Sequence, residues 1–267
     1  MTEGGRIDTL TMMEYTKIGR YEFLAEPFHC DYSNHLFMGH LGNHLLNAAD
    51  FHSTERGFGM NYLMPRHKTW VLSRLAIELQ AMPVAYDRFY VETWVESAMR
   101  YFTSRNFAIT SAGGQVYGYG RSVWAMIDTD TRQPSDIFAI HDGQIRDYIE
   151  SSKECPIASP SRVKMGDGAQ LAARVQTHYS DVDINGHINS VKYMEHALDL
   201  FGIDWYRRHF LRRFEIAYVA EAHGGDVLSL YLEPVADGEY CVRIMKSASA
   251  GVDETEVVRG RMVFANR

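Results

Sequence analysis

Apolar and polar residues change their period along this chain, and the changes mark out its elements. In LGNHLLNAADFHSTERG, Leu41, Leu45, Ala48, Ala49 and His52 recur three and four positions apart. That spacing predicts one buried stripe on a helix, and Gly57 suits its stop. A second stripe, Val191, Met194, Ala197, Leu198 and Phe201, runs through NSVKYMEHALDLFG. Asn189 or Ser190 can cap its start, and Gly202 can end it. Elsewhere the pattern turns to β-branched and aromatic runs: WVLSRLAIEL, RFYVETWVES, FTSRNFAIT and VYGYGRSVWAMI, then VLSLYLEP, GEYCVRIMKSAS and ETEVVRGRMVFA. These read as half-buried strands. Gly113 and Gly114 mark a hairpin turn between two of them.

Set end to end, the elements repeat. A strand (TKIGRYEFLAEP), a polar turn (CDYSNH), a helix and several strands are followed by a second strand (AQLAARVQTHY), polar turn (DVDINGH), helix and strands. The expectation is an α+β protein of two tandem units, each a long helix wrapped by an antiparallel sheet. The first unit should occupy 1–150 and the second 169–267. Between them, 151–168 is rich in Ser, Pro and Gly and reads as a linker, and GQIRDYIESS just before and into it as a short helix.

Composition narrows the picture. The chain has 267 residues, 46% hydrophobic and 23% charged, enough for two cores of ordinary size. No run is long and apolar enough to span a membrane, and MTEGGRIDTL has no signal-peptide order, so a cytoplasmic protein is expected. Cys30, Cys155 and Cys241 are scattered and read as reduced thiols. The twelve histidines show no zinc spacing, so no metal is expected. A net charge of −7 argues against a general nucleic-acid binder.

Candidate chemistry gathers in DVDINGHINSVKY. Asp183, Asn185 and His187 alternate, with Asn189 next in phase, and the predicted helix begins just beyond. A carboxylate, an amide, an imidazole and a helix N-terminus suit acyl transfer. The same residue types are also ordinary turn and cap formers, and spacing alone leaves both readings open.

Asp-x-Asn-x-His-x-Asn followed by Tyr193 at a helix start resembles the active-site segment of the acyl-acyl-carrier-protein thioesterases. KTWVLSRLAIEL, VETWVE and RNFAIT…GYGRSVWAMIDTDTRQP echo the same family, in the same order, from about Tyr15 to the C-terminus. The resemblance is to a bacterial-type member. It implies a tandem hot-dog fold, and an enzyme that hydrolyses the thioester of fatty acyl-acyl carrier protein without a cofactor. It also implies catalytic positions at Asp183, Asn185, His187 and Glu221, with Asn189 and Tyr193 as substrate-binding candidates. Ala222 stands where plant members often carry a cysteine, so no thiolate is expected to act there. Glu221 or Asp183 as general base and Asp183 as direct nucleophile both remain open. The first half, with Asp31, Asn34 and His35 at a spacing that does not reproduce the alternation, is expected to be a non-catalytic copy forming the acyl-chain pocket. Met38, Met60, Leu63, Met64 and Met82 are compatible with that pocket.

The implied partner is acyl carrier protein, small and acidic, for which a basic landing surface is expected. Arg207, Arg208, Arg212 and Arg213 are the first candidates, and Arg66, His67 and Lys68 the next. No membrane or nucleic-acid partner is expected, and the protein is expected to be a monomer or a homodimer. A coenzyme A thioesterase, a dehydratase of the same fold and a non-catalytic acyl sensor are the alternative readings.

Overall fold

The computed structural model describes residues 15–267, and the opening segment MTEGGRIDTL lies outside the described residues. The first half runs β1 (Ile18–Leu24), α1 (Met38–Glu55), α2 (Met60–Leu63), β2 (Lys68–Leu79), β3 (Arg88–Ala98), β4 (Phe102–Ser111) and β5 (Val116–Asp128). The second runs β6 (Gln170–Gln176), α3 (Ser190–Leu198), α4 (Ile203–Tyr206), β7 (His209–Tyr218), β8 (Val227–Ala236), β9 (Glu239–Ser247) and β10 (Thr255–Asn266). All ten strands form one antiparallel sheet in the order β1-β3-β4-β5-β2-β7-β10-β9-β8-β6. Read outward from the β2–β7 seam, each half presents its strands in the same order. This is a tandem hot-dog fold.

The periodic stripe places α1 as expected. Leu41, Leu45, Ala48, Ala49 and His52 are all buried, and Gly57 ends the helix at φ +78°. The second helix differs. α3 has nine residues against eighteen in α1. The chain leaves it at Asp199 and carries Phe201 into an aromatic cluster with Trp205, Tyr240 and Phe264. Gly202 therefore does not stop that helix; it precedes α4 as its N-cap. The two main helices approach closely because α1 carries glycines there. A Cβ on Gly39 would meet Glu195 at 2.6 Å, and one on Gly42 would meet Met194 at 3.3 Å.

The segment read as a short helix is instead a pair of 3₁₀ turns over Ile137–Tyr148, broken where His141, Asp142 and Gly143 take positive φ. Residues 151–168 contain no helix or strand. They are fastened to the sheet all the same. Cys155 and Ile157 pack against Trp94 and Ala108, and Ser161 Oγ donates to Glu215 at 2.7 Å.

That fastening meets the seam. β2 pairs with β7 from Arg74 opposite Ala217 to Glu78 opposite Arg213. Arg213 reaches Glu215 at 2.6 Å, Glu78 at 3.0 Å and the Ala158 carbonyl at 2.9 Å. Burial alone would raise the Glu215 carboxyl, but the hydrogen bonds from Ser161 and Arg213 outweigh it and hold it below its ordinary value. Arg213 is thus a buried seam residue and cannot present a landing surface. On β7 it lies on the face that the linker covers, opposite the core-facing Phe214 and Ile216, while Arg212, at a bulge, is exposed. Among the described residues no helix is long and apolar enough to cross a membrane.

Arg213→Met should lower the unfolding free energy by about 3 kcal/mol or more, because it leaves buried carboxylates without their cation. Arg212→Met, on the exposed face, should change it by less than about 0.5 kcal/mol. Denaturant melts of the two variants check this, and equal losses would contradict it.

Candidate active site

Asp183 builds the turn that follows β6. Its Oδ1 accepts from the backbone N–H of Asn185 at 2.8 Å and of His187 at 3.3 Å. Its own N–H donates to the His187 carbonyl at 2.8 Å, and the Gly186 N–H to the Asp183 carbonyl at 3.0 Å. Gly186 takes φ +79°, which closes the loop without a Cβ penalty. The segment is therefore a closed Asx-type turn. The Asn185 amide lies 3.5 Å from Asp183 Oδ2.

The first half contains the same turn. Asp31 Oδ1 accepts from the N–H groups of Ser33 at 2.8 Å and His35 at 3.2 Å, and the Asp31 N–H donates to the His35 carbonyl at 2.7 Å. Asn34 takes φ +68° where Gly186 takes +79°. The first-half spacing departs from the alternation as expected, but only at the amide: Asp31 and His35 are spaced as Asp183 and His187 are, while Asn34 falls at the position of Gly186. What differs is chemistry. Ser33 stands for Asn185, and the carboxylate is missing. The Ile188 N–H bonds the Ala222 carbonyl just as the Leu36 N–H bonds that of Pro83, so Met82 occupies the place of Glu221.

Glu221 lies three residues past the end of β7, in a loop rather than on the strand. The Ile188–Ala222 bond holds that loop against the turn, and Lys246 donates to the Glu221 carbonyl. Glu221 Oε2 sits 3.3 Å from His187 Nε2. Its other oxygen is held by Arg132. His223 stands edge-on to His187 with centroids 5.1 Å apart. The result is a guanidinium–carboxylate–imidazole chain.

Arg132 was not singled out from the sequence. It lies in the DTDTRQP stretch, 89 residues from its partner, so spacing carried no sign of the contact. The structure explains its position. Asp128 Oδ1 accepts from Thr131 N at 2.9 Å and Asp130 N at 3.1 Å, and the Thr129 N–H reaches the His67 carbonyl at 2.9 Å. The bonds from Thr131 and Asp130 hold the Asp128 carboxyl below its ordinary value. Arg132 itself takes φ +60° at the tip of that turn.

The turn opens on a cavity of about 920 Å³. Asp183, Asn185, His187 and Glu221 all line it, as do Arg132, Asn189 and Tyr193. Its inner walls come from the first half: the face of α1 from Asn43 to Arg56, and Trp70, Leu72, Thr103, Arg105 and Trp124 from the sheet. Met60 and Met64 line it too. Leu63 is buried in a separate cluster, Met38 in the main core, and Met82 packs at that core's edge. None of the three cysteines lines the cavity.

Asn189 is engaged as the N-cap of α3, its Oδ1 accepting from Val191 N at 3.0 Å, and Asn189 O takes the Lys192 N–H. Two first-turn amides of α3 are thereby occupied. Tyr193 is buried, and that burial pushes its phenol well above the ordinary value. The basic residues fall into two groups. Arg207 and Arg208 are exposed after α4, and the Arg207 guanidinium lies 6.0 Å from the ring of Tyr32, in the first-half turn. Arg66 and His67 are exposed, with Lys68 beside them, next to Met64 and to the Thr129–Arg132 turn that line the cavity.

Residues 20–140 match the acyl-ACP thioesterase N-terminal domain and 166–259 the C-terminal domain. An acyl-ACP thioesterase of known structure from Bacteroides thetaiotaomicron is 50% identical, covers 93% of this chain and 98% of its own, and superposes with a TM-score of 0.85. The 12:0-ACP thioesterase from Umbellularia californica shares the fold, with a TM-score of 0.78 at 18% identity over 95% of this chain and 99% of that one. Among curated relatives, a chloroplastic palmitoyl-acyl carrier protein thioesterase from Gossypium hirsutum is 27% identical over 242 residues, 83% of this chain. A chloroplastic oleoyl-acyl carrier protein thioesterase from Arabidopsis thaliana is 28% identical over 199 residues, 70% of this chain. The chain spans only about half the length of these plant relatives, 57% and 52% respectively.

Proposed function

The chain belongs to the acyl-ACP thioesterase family, and on that footing we propose that it hydrolyses the thioester of fatty acyl groups held on acyl carrier protein. The products are the free fatty acid and the carrier's thiol. The observation that carries this reading is the Glu221–His187 pair at the mouth of a cavity whose inner walls come from the other half. The first half is read as the acyl-chain pocket and the second as the source of the reacting groups, with Arg132 contributed across the seam.

Water is the nucleophile in this proposal. Glu221 orients His187, and the pair takes a proton as the water oxygen attacks the thioester carbonyl carbon. The Asn185 amide, exposed at the turn, polarises the carbonyl oxygen as charge develops there. The tetrahedral intermediate collapses with cleavage of the C–S bond. The proton held by the pair passes to the leaving thiolate, which restores the starting state. Asp183 supports the turn: one of its oxygens is committed to two backbone N–H groups, which disfavours it as nucleophile.

Arg132 gives Glu221 a fixed rotamer and a countercharge. The cysteines take no part. Reading the carrier rather than coenzyme A as the donor rests on the family and on a basic patch at the cavity mouth. Arg66 and Lys68 adjoin the mouth, and that position supports docking there. Arg207 stands by the first-half turn, Arg208 is exposed beside α4, and Arg213 is buried at the seam.

Glu221→Gln keeps the shape and removes the charge, so kcat should fall about a hundredfold or more. Asp183→Asn retains an oxygen for the turn amides and should cost less. Near-normal turnover in folded Glu221→Gln would overturn the reading, and a larger loss in Asp183→Asn would transfer the base to Asp183.

Reversing Arg66 and Lys68 to Glu should lower kcat/KM on acyl carrier substrate while sparing a small acyl thioester. The deficit should shrink as salt rises, because such rim charges act over about 10 Å. The same reversal at Arg207 and Arg208 should have little effect. The opposite ranking would move the docking surface to the other side of the molecule.

A further inference from the structure

The inner end of the cavity is not apolar. Arg105, on β4, is buried and reaches across to α1. One terminal nitrogen donates to Thr93 Oγ1 at 3.1 Å and the other to Ser53 Oγ at 3.0 Å. Among the described residues neither bond goes to a carboxylate, and no ion pair is formed. A guanidinium carries five N–H donors, and two hydroxyl partners leave its charge unbalanced. Arg56 lies in the same region, but its charge is met by Glu55 at 3.1 Å. Asp50, one turn before Ser53 on α1, attracts Arg105 at longer range without an ion pair. Burial first, and then Arg105 and Arg56, push the buried His52 down to about 2, so it is neutral and offsets no positive charge. Arg105, Arg56, His52, Ser53, Thr103 and Tyr148 all line the cavity.

Position matters as much as charge. Between β4 and β7 lie β5 and β2, so Arg105 stands three strand intervals from the strand that leads to Glu221, roughly 14 Å across the sheet. Along α1, Ser53 is eleven residues beyond the α3 crossing at Gly42, roughly 16 Å at the helical rise. Both routes put this polar floor at the far end of the space that an extended acyl chain would occupy.

A methyl-ended chain reaching this floor would bring no acceptor to a buried cation that has two hydroxyl partners and no ion pair. Desolvating such an ion is costly, and a hydrogen-bond-accepting oxygen would offset the loss. We propose that Arg105 and Ser53 form a terminal subsite for an acceptor oxygen, so that the enzyme takes acyl chains bearing a carboxylate or hydroxyl remote from the thioester. This rests on the thioesterase reading for its chemistry, while the subsite itself is a binding property.

The test uses three acyl-pantetheine thioesters of matched medium length, ending in methyl, hydroxyl or carboxylate, with wild type, Arg105→Met, Arg105→Lys and Ser53→Ala. In wild type the oxygen-ended chains should match or exceed the methyl-ended one in kcat/KM. In Arg105→Met the ratio of oxygen-ended to methyl-ended rates should fall at least tenfold, with Ser53→Ala lowering it less. Arg105→Lys should retain part of the preference for the carboxylate arm but not for the hydroxyl arm. A ratio unchanged in both Arg105→Met and Ser53→Ala would overturn the subsite, as would a wild type that rejects both oxygen-ended chains more than tenfold. Calorimetric binding of the matching monocarboxylic, ω-hydroxy and dicarboxylic acids gives a second readout. If wild type hydrolyses none of the thioesters, the hydrolase reading fails, and the binding ratios still decide the subsite. Should Arg105→Met fail to fold, Ser53→Ala decides by the same ratios.

Discussion

Everything at the candidate site depends on five residues of β2 lying against five of β7. That pairing joins the two halves into one sheet, and with it the loop after β5 is brought to the loop after β7. Arg132 meets Glu221 only because of that juncture. The seam also lets α1 of the first half roof a cavity whose mouth is a turn of the second. Arg213 sits in the pairing, bonded to Glu215 and Glu78 and to the linker, so the polar network that holds the halves together also holds the linker down. Close approach of α1 to α3 at Gly39 and Gly42 completes the arrangement. The proposed reacting groups are thus assembled by long-range structure, although the turn that bears two of them is local.

The two halves share one turn geometry and differ in the groups that it carries. Both turns keep the same backbone bonds, because an aspartate accepting two amides and a left-handed residue ahead of a histidine suffice to close them. The difference lies in a few side chains. Met82 replaces the carboxylate, Ser33 the amide, and the helix opposite the first-half turn is half as long. The fold is thus repeated with its turn geometry intact, while a carboxylate, Glu221, stands against the second turn and a methionine, Met82, at the matching place in the first.

Much of the architecture was legible because it is local. The 3–4 spacing of Leu41, Leu45, Ala48 and Ala49 announces α1, and the β-branched and aromatic runs announce seven of the ten strands. Phe201 misled: its apolar character fits a helical stripe, but it is used in an aromatic cluster beyond the helix. The basic run WYRRHFLRRF hid the central strand β7, since it is buried on both faces: Leu211, Phe214 and Ile216 turn to the core, while Arg213 and Glu215 lie under the linker. A buried ion-pair network looks like a solvated loop until its partners, Glu78 above all, are located. The turn residues were identifiable from one segment, yet Arg132 and Arg105 were not. Each derives its meaning from a partner on another element, and neither spacing nor composition encodes that meeting.

Single-turnover hydrolysis of acyl-acyl carrier protein in ¹⁸O-water tests the proposed chemistry most directly. With water as nucleophile, the first turnover should place one ¹⁸O in the released fatty acid and none in the protein, with the carrier thiol freed in equal amount. An ¹⁸O label in the peptide containing Asp183 would mean that a carboxylate had attacked the thioester. Failure to release any acid from the carrier-bound substrate would contradict the account as a whole.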